Sequence, residues 1–254
     1  MRLILAALLL YLPLPAANVD WEQRHADARK AYEAGDSASA LETWSALAEE
    51  RGVDADILAA MGNAEWRLGR KGRAMVCWER ALLMDPSEPV ARAGVAHASA
   101  VGGVDRPAAR WTERYAGLLE ADGWIALGLL ATWSWLMAWA LPRMRGRRMG
   151  DPHHRIALAA ATALALIGPG LWGSWEIHHR AVNRLPDEPL KLTPTVLGEP
   201  LALMGEGDVV RTGRTLNGHL RVELAGGQIG WVRLAALEPV AGEGPPRSLD
   251  PQAP

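Results

Sequence analysis

The chain has 254 residues, with 27 Lys or Arg against 29 Asp or Glu, so its formal net charge is -2. Because no excess of positive charge supplies a broad basic surface, nucleic acid is not expected as a partner. The single cysteine, Cys77, excludes an intrachain disulfide and any metal site built from several cysteines. Each folded part must therefore be held together by its own core.

Two apolar runs, residues 123–141 and 156–175, contain no charged residue. As helices, each would reach roughly 28 to 30 Å, the thickness of the hydrocarbon core of a bilayer. The loop between them, residues 142–155, carries an excess of arginine, which is typical of the cytoplasmic side. The sequence thus predicts a two-helix transmembrane hairpin with both ends of the chain outside the cytoplasm, and the lipid bilayer is an expected partner.

The N-terminal residues 1–17 have the order of a secretory signal, namely a basic residue, an apolar run and small residues. Two outcomes stay open. The segment is either cleaved after Ala16 or kept as an N-terminal anchor, and both outcomes place the residues from Asp20 onward outside the cytoplasm.

Residues 20–120 carry an internal repeat with a period of 34 residues. The matching pairs are Ala28 and Gly62, Tyr32 and Trp66, Gly35 and Gly69, Ala40 and Ala74, and Trp44 and Trp78. This period is typical of the tetratricopeptide repeat (TPR), in which antiparallel helices meet at small residues and a glycine makes the turn. A degenerate third unit keeps Gly103, and its last helix is predicted to start at Pro107 with Asp105 as its cap. The pattern predicts an all-α TPR solenoid.

In the tetratricopeptide family, the first helix of each pair lines a concave face that binds peptides or partner proteins. The resemblance implies that the groove is lined by His25, Arg29, Tyr32, Asn63, Trp66, Arg67 and His97. Basic side chains beside an asparagine would suit a carboxylate or an acidic peptide. The alternative interpretation is that the aromatic residues only pack and the polar ones are only solvated.

Short β-rich runs alternate with glycine turns in residues 190–240. The clearest signals are the turn Asn217-Gly218 and the closing run 226–232, and together they resemble the bacterial SH3-like domain. The pattern predicts a small five-stranded all-β barrel. Its one aromatic residue, Trp231, is favoured as a core residue over a ligand platform, because grooves for proline-rich peptides need several clustered aromatics.

Catalytic signatures are absent from the sequence. It has no Gly-x-Ser-x-Gly elbow, no His-Glu-x-x-His zinc helix and no phosphate-binding glycine loop. Two histidine pairs, 153–154 and 178–179, are poor chelates because adjacent helical residues point about 100° apart. We therefore expect no enzymatic activity, no cofactor and no metal site.

The chain as a whole reads as a multidomain membrane protein. Its segments are a signal sequence (1–17), a TPR domain (20–120), transmembrane helices (123–141 and 156–175) around a basic cytoplasmic loop (142–155), a linker (176–189), an SH3-like domain (190–240) and a disordered tail (241–254).

This order resembles the Bacteroides-aerotolerance operon family, specifically its member with tetratricopeptide repeats and an SH3-like domain. Such proteins are usually encoded with a MoxR-type ATPase and with membrane-anchored von Willebrand factor A proteins. The resemblance implies an adaptor of the bacterial inner membrane that binds envelope proteins, von Willebrand factor A proteins among them, in stress or aerotolerance. The alternative is a cell-wall protein whose SH3-like module holds peptidoglycan while the repeats recruit a wall enzyme.

Overall fold

The computed structural model describes residues 16–119, 121–144, 146 and 151–242. These residues form eight α-helices and one antiparallel sheet of seven strands. The chain divides into two compact units, with the boundary after Ala98. Most of the predicted signal sequence and of the predicted disordered tail lies outside the described residues.

The first unit is helical. Its helices are α1 (Ala16–Glu33), α2 (Ser37–Arg51), α3 (Ala55–Arg67), α4 (Lys71–Met84) and α5 (Pro89–Ala100), of which α5 ends just beyond the boundary of the unit. Consecutive helices from α1 to α4 pack against each other, and Trp44 and Trp78 are among the largest fully buried side chains.

The 34-residue period of the sequence is also a period of the structure. The turns after α1 and α3 contain Gly35 and Gly69, with φ angles of 94° and 77°, a region that side chains with a Cβ atom rarely adopt. The ring centroids of Tyr32 and Trp44 are 6.0 Å apart, and those 34 residues later, Trp66 and Trp78, are 5.6 Å apart. The same aromatic contact therefore occurs in both repeats.

The second unit begins with a short helix and an apolar hairpin. Its helices are α6 (Trp111–Ala116), α7 (Ala121–Met144) and α8 (Asp151–His178). Helices α7 and α8 pack on each other and are long and apolar enough to cross a membrane. Leucines on their outer faces are exposed, for example Leu130 at 65% and Leu158 at 70%. Both helices extend beyond the predicted spans, and most arginines of the predicted basic loop lie outside the described residues.

The sheet completes the second unit. Its strands are β1 (Arg180–Asn183), β2 (Glu188–Lys191), β3 (Pro200–Met204), β4 (Val209–Leu216), β5 (His219–Glu223), β6 (Ile229–Arg233) and β7 (Leu237–Pro239). They lie in the order β3-β2-β6-β5-β4-β1-β7. Alternate residues face an apolar core that includes Leu190, Val210, Val222 and Val232. The β4–β5 hairpin turns at Asn217 and Gly218, both with positive φ.

The predicted linker 176–189 is structured instead. Helix α8 continues to His178, and β1 pairs with both β4 and β7. Asn183 stabilises the connection from α8 into the sheet. Its buried carboxamide donates to the carbonyl oxygen of Leu185 at 2.7 Å and to that of Gly205 at 2.8 Å. With β1 and β7 included, the sheet has seven strands rather than the five that were predicted.

The helix predicted from Pro107 begins only at Trp111. The reason is that the preceding backbone is bonded to the sheet. The Asp105 N–H donates to the Asp208 carboxylate at 2.8 Å, and the Val209 N–H donates to the Asp105 carbonyl at 2.9 Å. Asp105 is therefore bonded to the start of β4 and to the residue before it, and it does not cap a helix.

Candidate binding groove and buried charge cluster

The helical unit contains an open groove of about 490 Å³. Its lining comes from the end of α1, from α3 and α4, and from α5. The lining residues are Tyr32, Asn63, Trp66, Arg67, Trp78, Pro89, Val90, Ala93, Gly94 and His97. We call this the α3–α5 groove. It brings together the sequence-predicted residues Tyr32, Asn63, Trp66, Arg67 and His97.

The Trp78 indole forms the floor of the α3–α5 groove and is only 1% exposed. Two glycines allow the neighbouring helices to close on it. A Cβ atom at Gly62 would lie 2.4 Å from the indole nitrogen, and one at Gly94 would lie 2.3 Å from the ring. Side chains at these positions would push α3 and α5 away from the floor.

The rim of the groove combines aromatic faces with one cation. Trp66 meets the His97 ring edge-on at a centroid distance of 5.7 Å. The Arg67 guanidinium lies 3.7 Å from the centroid of the Tyr32 ring and donates to the Tyr32 carbonyl at 2.7 Å. This hydrogen bond and stacking fix the orientation of the guanidinium, while the exposed Arg67 side chain keeps donors for an acceptor on a ligand.

His25 and Arg29 do not line the α3–α5 groove. His25 is 8% exposed and stacks on Trp21 at a centroid distance of 5.5 Å. The nearest guanidinium nitrogen of Arg29 lies 3.2 Å from the Nε2 atom of His25, and Asp56 lies 3.6 Å from the same atom. The His25 ring packs between α1 and Trp44 of α2, whereas Arg29 is exposed, so this part of the predicted lining differs from the observed groove.

Sequence reasoning missed the contribution of α5 other than His97. Ala93 and Gly94 carry no signal of their own, but Gly94 faces the same indole as Gly62. A search for small residues opposite the repeated tryptophans could have found them, because an indole that is buried between helices requires small residues on both sides.

A second concentration of polar side chains lies in the second unit, at the end of the apolar hairpin. Glu113 of α6 accepts hydrogen bonds from Arg180 of β1 at 2.7 Å and from Arg211 of β4 at 3.2 Å. The three side chains are 2%, 4% and 12% exposed. Removing Glu113 would take a buried countercharge from both arginines.

Arg110 extends this network to the last turn of α8. Its guanidinium donates to Glu176 at 2.6 Å and to Glu223 of β5 at 3.0 Å. The Thr112 hydroxyl donates to the second oxygen of Glu176 at 2.6 Å. We call the six charged residues the charge cluster: Arg110, Glu113, Glu176, Arg180, Arg211 and Glu223. It joins α8, α6 and the sheet with three positive and three negative side chains.

The electrostatics of Glu113 favour a structural role. Burial alone would raise the pKa of its carboxyl, but ion pairing with Arg180 and hydrogen bonds from Arg211 and Arg180 outweigh burial, so its pKa lies below the ordinary value. A carboxylate of this kind stays ionised and is a poor proton donor. At Asp208 burial dominates and raises the pKa, against hydrogen bonds from the backbone N–H groups of Asp105 and Gly205.

Trp231 is buried, at 8% exposure, but it lies outside the apolar core of the sheet. Since Val232 faces the core, the alternation of β6 turns Trp231 to the opposite face. Its cross-strand neighbours there are Lys191 and Arg221, and the Arg214 guanidinium carbon lies 5.8 Å from the centroid of its ring. The burial that was expected of Trp231 is thus observed, on the face of β6 opposite Val232 and beside basic residues.

Among the described residues, no three His, Cys, Asp or Glu side chains converge as metal ligands would. No family model matches the chain, and no curated protein and no solved structure is significantly similar to it.

Proposed function

We propose that this chain is a non-catalytic membrane-anchored adaptor whose helical unit binds a protein partner in the α3–α5 groove. The observation that carries this proposal is the groove itself, in which a buried indole floor is bordered by Trp66, His97 and the oriented Arg67. Grooves with aromatic walls and a few fixed donors suit peptide segments that offer an apolar side chain beside an acceptor.

The helical unit is proposed to be a tetratricopeptide module and the sheet an SH3-like module. The first assignment is supported by the 34-residue period of turns and aromatic contacts, and the second by the hairpin at Asn217-Gly218 and the closing strand β6. The two apolar helices would cross the inner membrane, and the arginines between them would place both modules on the periplasmic side.

The order of modules supports a role like that of the repeat-plus-SH3 member of the Bacteroides-aerotolerance operon family. On this proposal the partners are envelope proteins, with membrane-anchored von Willebrand factor A proteins as the first candidates. The chain would hold such a partner at the membrane surface during stress or aerotolerance and would perform no chemistry on it.

Quantitative co-purification from gently solubilised membranes tests the proposal. The full chain is compared with Arg67→Glu, which reverses the charge in the groove, and with Arg92→Glu, a matched reversal at an exposed α5 residue outside the lining. We expect the same envelope proteins with the unaltered chain and with Arg92→Glu, and a loss of roughly tenfold or more with Arg67→Glu, as for a fixed charge-assisted contact.

Equal recovery with all three chains would contradict the groove assignment. Recovery of wall-synthesis enzymes in place of von Willebrand factor A proteins, together with binding of the chain to purified sacculi, would favour the cell-wall alternative.

A further inference from the structure

A row of basic side chains crosses the outer face of the sheet beside Trp231. Arg221 on β5 lies directly opposite Trp231 on β6, and Lys191 on β2 lies opposite Trp231 on its other side. Arg214, at the irregularity of β4, approaches the ring from beyond Arg221. We call Lys191, Arg214 and Arg221 the basic row.

The positive charge of the basic row is not neutralised by the protein. Within the described part of the chain, Arg214 and Arg221 are exposed and have no carboxylate within ion-pairing distance. Lys191 donates to the carbonyl oxygens of Thr195 and Val196, which leaves its charge uncompensated.

Two acids on the strands that carry the row are engaged by other cations. Glu223 accepts from Arg110, and Glu188 accepts from Arg233. The basic row is therefore a strip of positive charge that is available to an anionic partner.

The strand register places the basic row relative to the hairpin. Strand β1 leaves the end of α8 in the direction from Arg180 to Asn183, and Arg180 lies opposite Arg211 of β4. Arg214 lies past Arg211 toward the β4–β5 turn, which is the direction opposite to that of β1. Arg221 lies closer to the same turn than Glu223, the residue opposite Arg211. The row is thus on the side from which α8 enters the sheet.

We propose that the basic row docks on the anionic phospholipid headgroups of the bilayer that the hairpin crosses. This inference rests on the membrane anchoring in the proposed function and is independent of the groove. A guanidinium group can donate two parallel hydrogen bonds to the oxygens of one phosphate. Because α8 is bonded to β5 through Arg110, the sheet is held near the headgroups, where attraction acts within a Debye length.

The test uses the full chain in nanodiscs of phosphatidylcholine, with and without phosphatidylglycerol. An environment-sensitive fluorophore is attached to Leu216→Cys, next to the β4–β5 turn, where the native side chain is exposed. The native Cys77 is fully buried and leaves no background labelling. Quenching by a lipid with a nitroxide on its headgroup reports how much of the sheet is docked.

We expect quenching to rise when phosphatidylglycerol is present and to fall again at high salt. Arg214→Gln with Arg221→Gln should lower the ratio of docked to undocked chain by roughly fivefold for each cation removed. The matched control, Lys30→Gln with Arg92→Gln, removes two exposed cations from the helical unit and should respond like the unaltered chain.

Equal quenching in both lipids, or an unchanged response of the Arg214 and Arg221 variant, would overturn the inference while leaving the adaptor proposal intact. A chain that failed to enter nanodiscs at all would overturn the membrane anchoring and this inference together.

Discussion

Gly62 and Gly94 make the floor of the α3–α5 groove possible. In a helix interior, replacing glycine by alanine usually stabilises a protein by about 0.5 to 1 kcal/mol, because alanine loses less backbone entropy on folding. Here the added methyl group would meet the Trp78 ring at 2.4 Å or less. The sign of the effect is therefore expected to reverse.

Gly94→Ala should lower the free energy of unfolding of the helical unit by about 1 to 3 kcal/mol, because the helices must separate to admit the methyl group. Hydrogen exchange of α3 and α5 in the full chain measures this loss. The control is Gly94→Ala combined with Trp78→Leu, because the smaller side chain relieves the clash. The loss of stability in this double variant should be less than the sum of the losses in the two single variants. A Gly94→Ala chain that is more stable than the original would contradict the packing described.

Glu113 makes stability depend on pH. Its pKa is lower in the folded chain than in the unfolded one, so the stability it contributes is complete above its ordinary pKa of about 4.3 and is lost as the pH falls through the folded value. At neutral pH, Glu113→Gln should cost about 3 kcal/mol, because Arg180 and Arg211 lose a buried countercharge.

Hydrogen exchange of strand β1 across this pH range checks the prediction. Comparing the original chain with Glu113→Gln isolates Glu113 from other carboxyls, including Asp208, whose pKa is raised and whose effect on stability has the opposite sign. The difference in free energy of unfolding between the two chains should become smaller below about pH 4.3. A constant difference down to strongly acid pH would show that ionised Glu113 does not provide the stability.

At the scale of elements, α6 lies against α8 through a glycine. A Cβ atom at Gly173 would fall 2.0 Å from the Thr112 carbonyl oxygen, whereas one at Gly168, earlier on the same helix, would meet nothing within 4 Å. The close approach at Gly173 lets Thr112 and Arg110 reach Glu176.

Gly173→Ala is therefore expected to loosen α6 and β1 and to raise their hydrogen-exchange rates at least tenfold. The reason is that the added methyl group meets the Thr112 backbone, which cannot move aside as a flexible side chain can. Gly168→Ala is the matched control on the same helix and should leave both elements unchanged. Equal effects of the two changes would mean that the helix itself, and not its contact with α6, is sensitive to alanine.

The helical turns and both apolar helices are readable from the sequence because their signals are local or periodic. Glycine at a 34-residue interval predicts a turn, and Gly35 and Gly69 have the required positive φ. The α3–α5 groove could be predicted in part for the same reason, since Asn63 and His97 also lie 34 residues apart.

The charge cluster could not be predicted in this way. Glu113 and Arg180 are 67 residues apart, in segments that the sequence predicts as the last helix of the repeat domain and as a linker. Strand β1 has only four residues, with an arginine and an asparagine at its ends, so it lacks the alternating apolar pattern of a strand. Its burial depends on partners that only the folded chain brings near.

At the scale of the molecule, the sheet and the apolar hairpin form one compact unit. On the proposed topology, the sheet lies outside the cytoplasm and the connection between α7 and α8 lies inside. Leu197, in the loop between β2 and β3, is 95% exposed, and Met144 at the end of α7 is 83% exposed, so each can report its own side.

A membrane-impermeant maleimide should label Leu197→Cys in cells with a permeabilised outer membrane, and it should label Met144→Cys only after lysis. The unaltered chain is the control, because Cys77 is buried and should stay unlabelled in the folded protein. Labelling of both positions from the outside would contradict a hairpin that crosses the membrane, and labelling of Met144→Cys alone would invert its topology.

The proposed function requires a partner in the α3–α5 groove. The most direct measurement places a photo-crosslinking amino acid at His97, which lines the groove, or at Ala96, which is exposed one residue earlier and about 100° around the same helix. We expect an adduct with one envelope protein from position 97 and none from position 96. The same adduct from both positions, or from position 96 alone, would show that the partner does not occupy the groove.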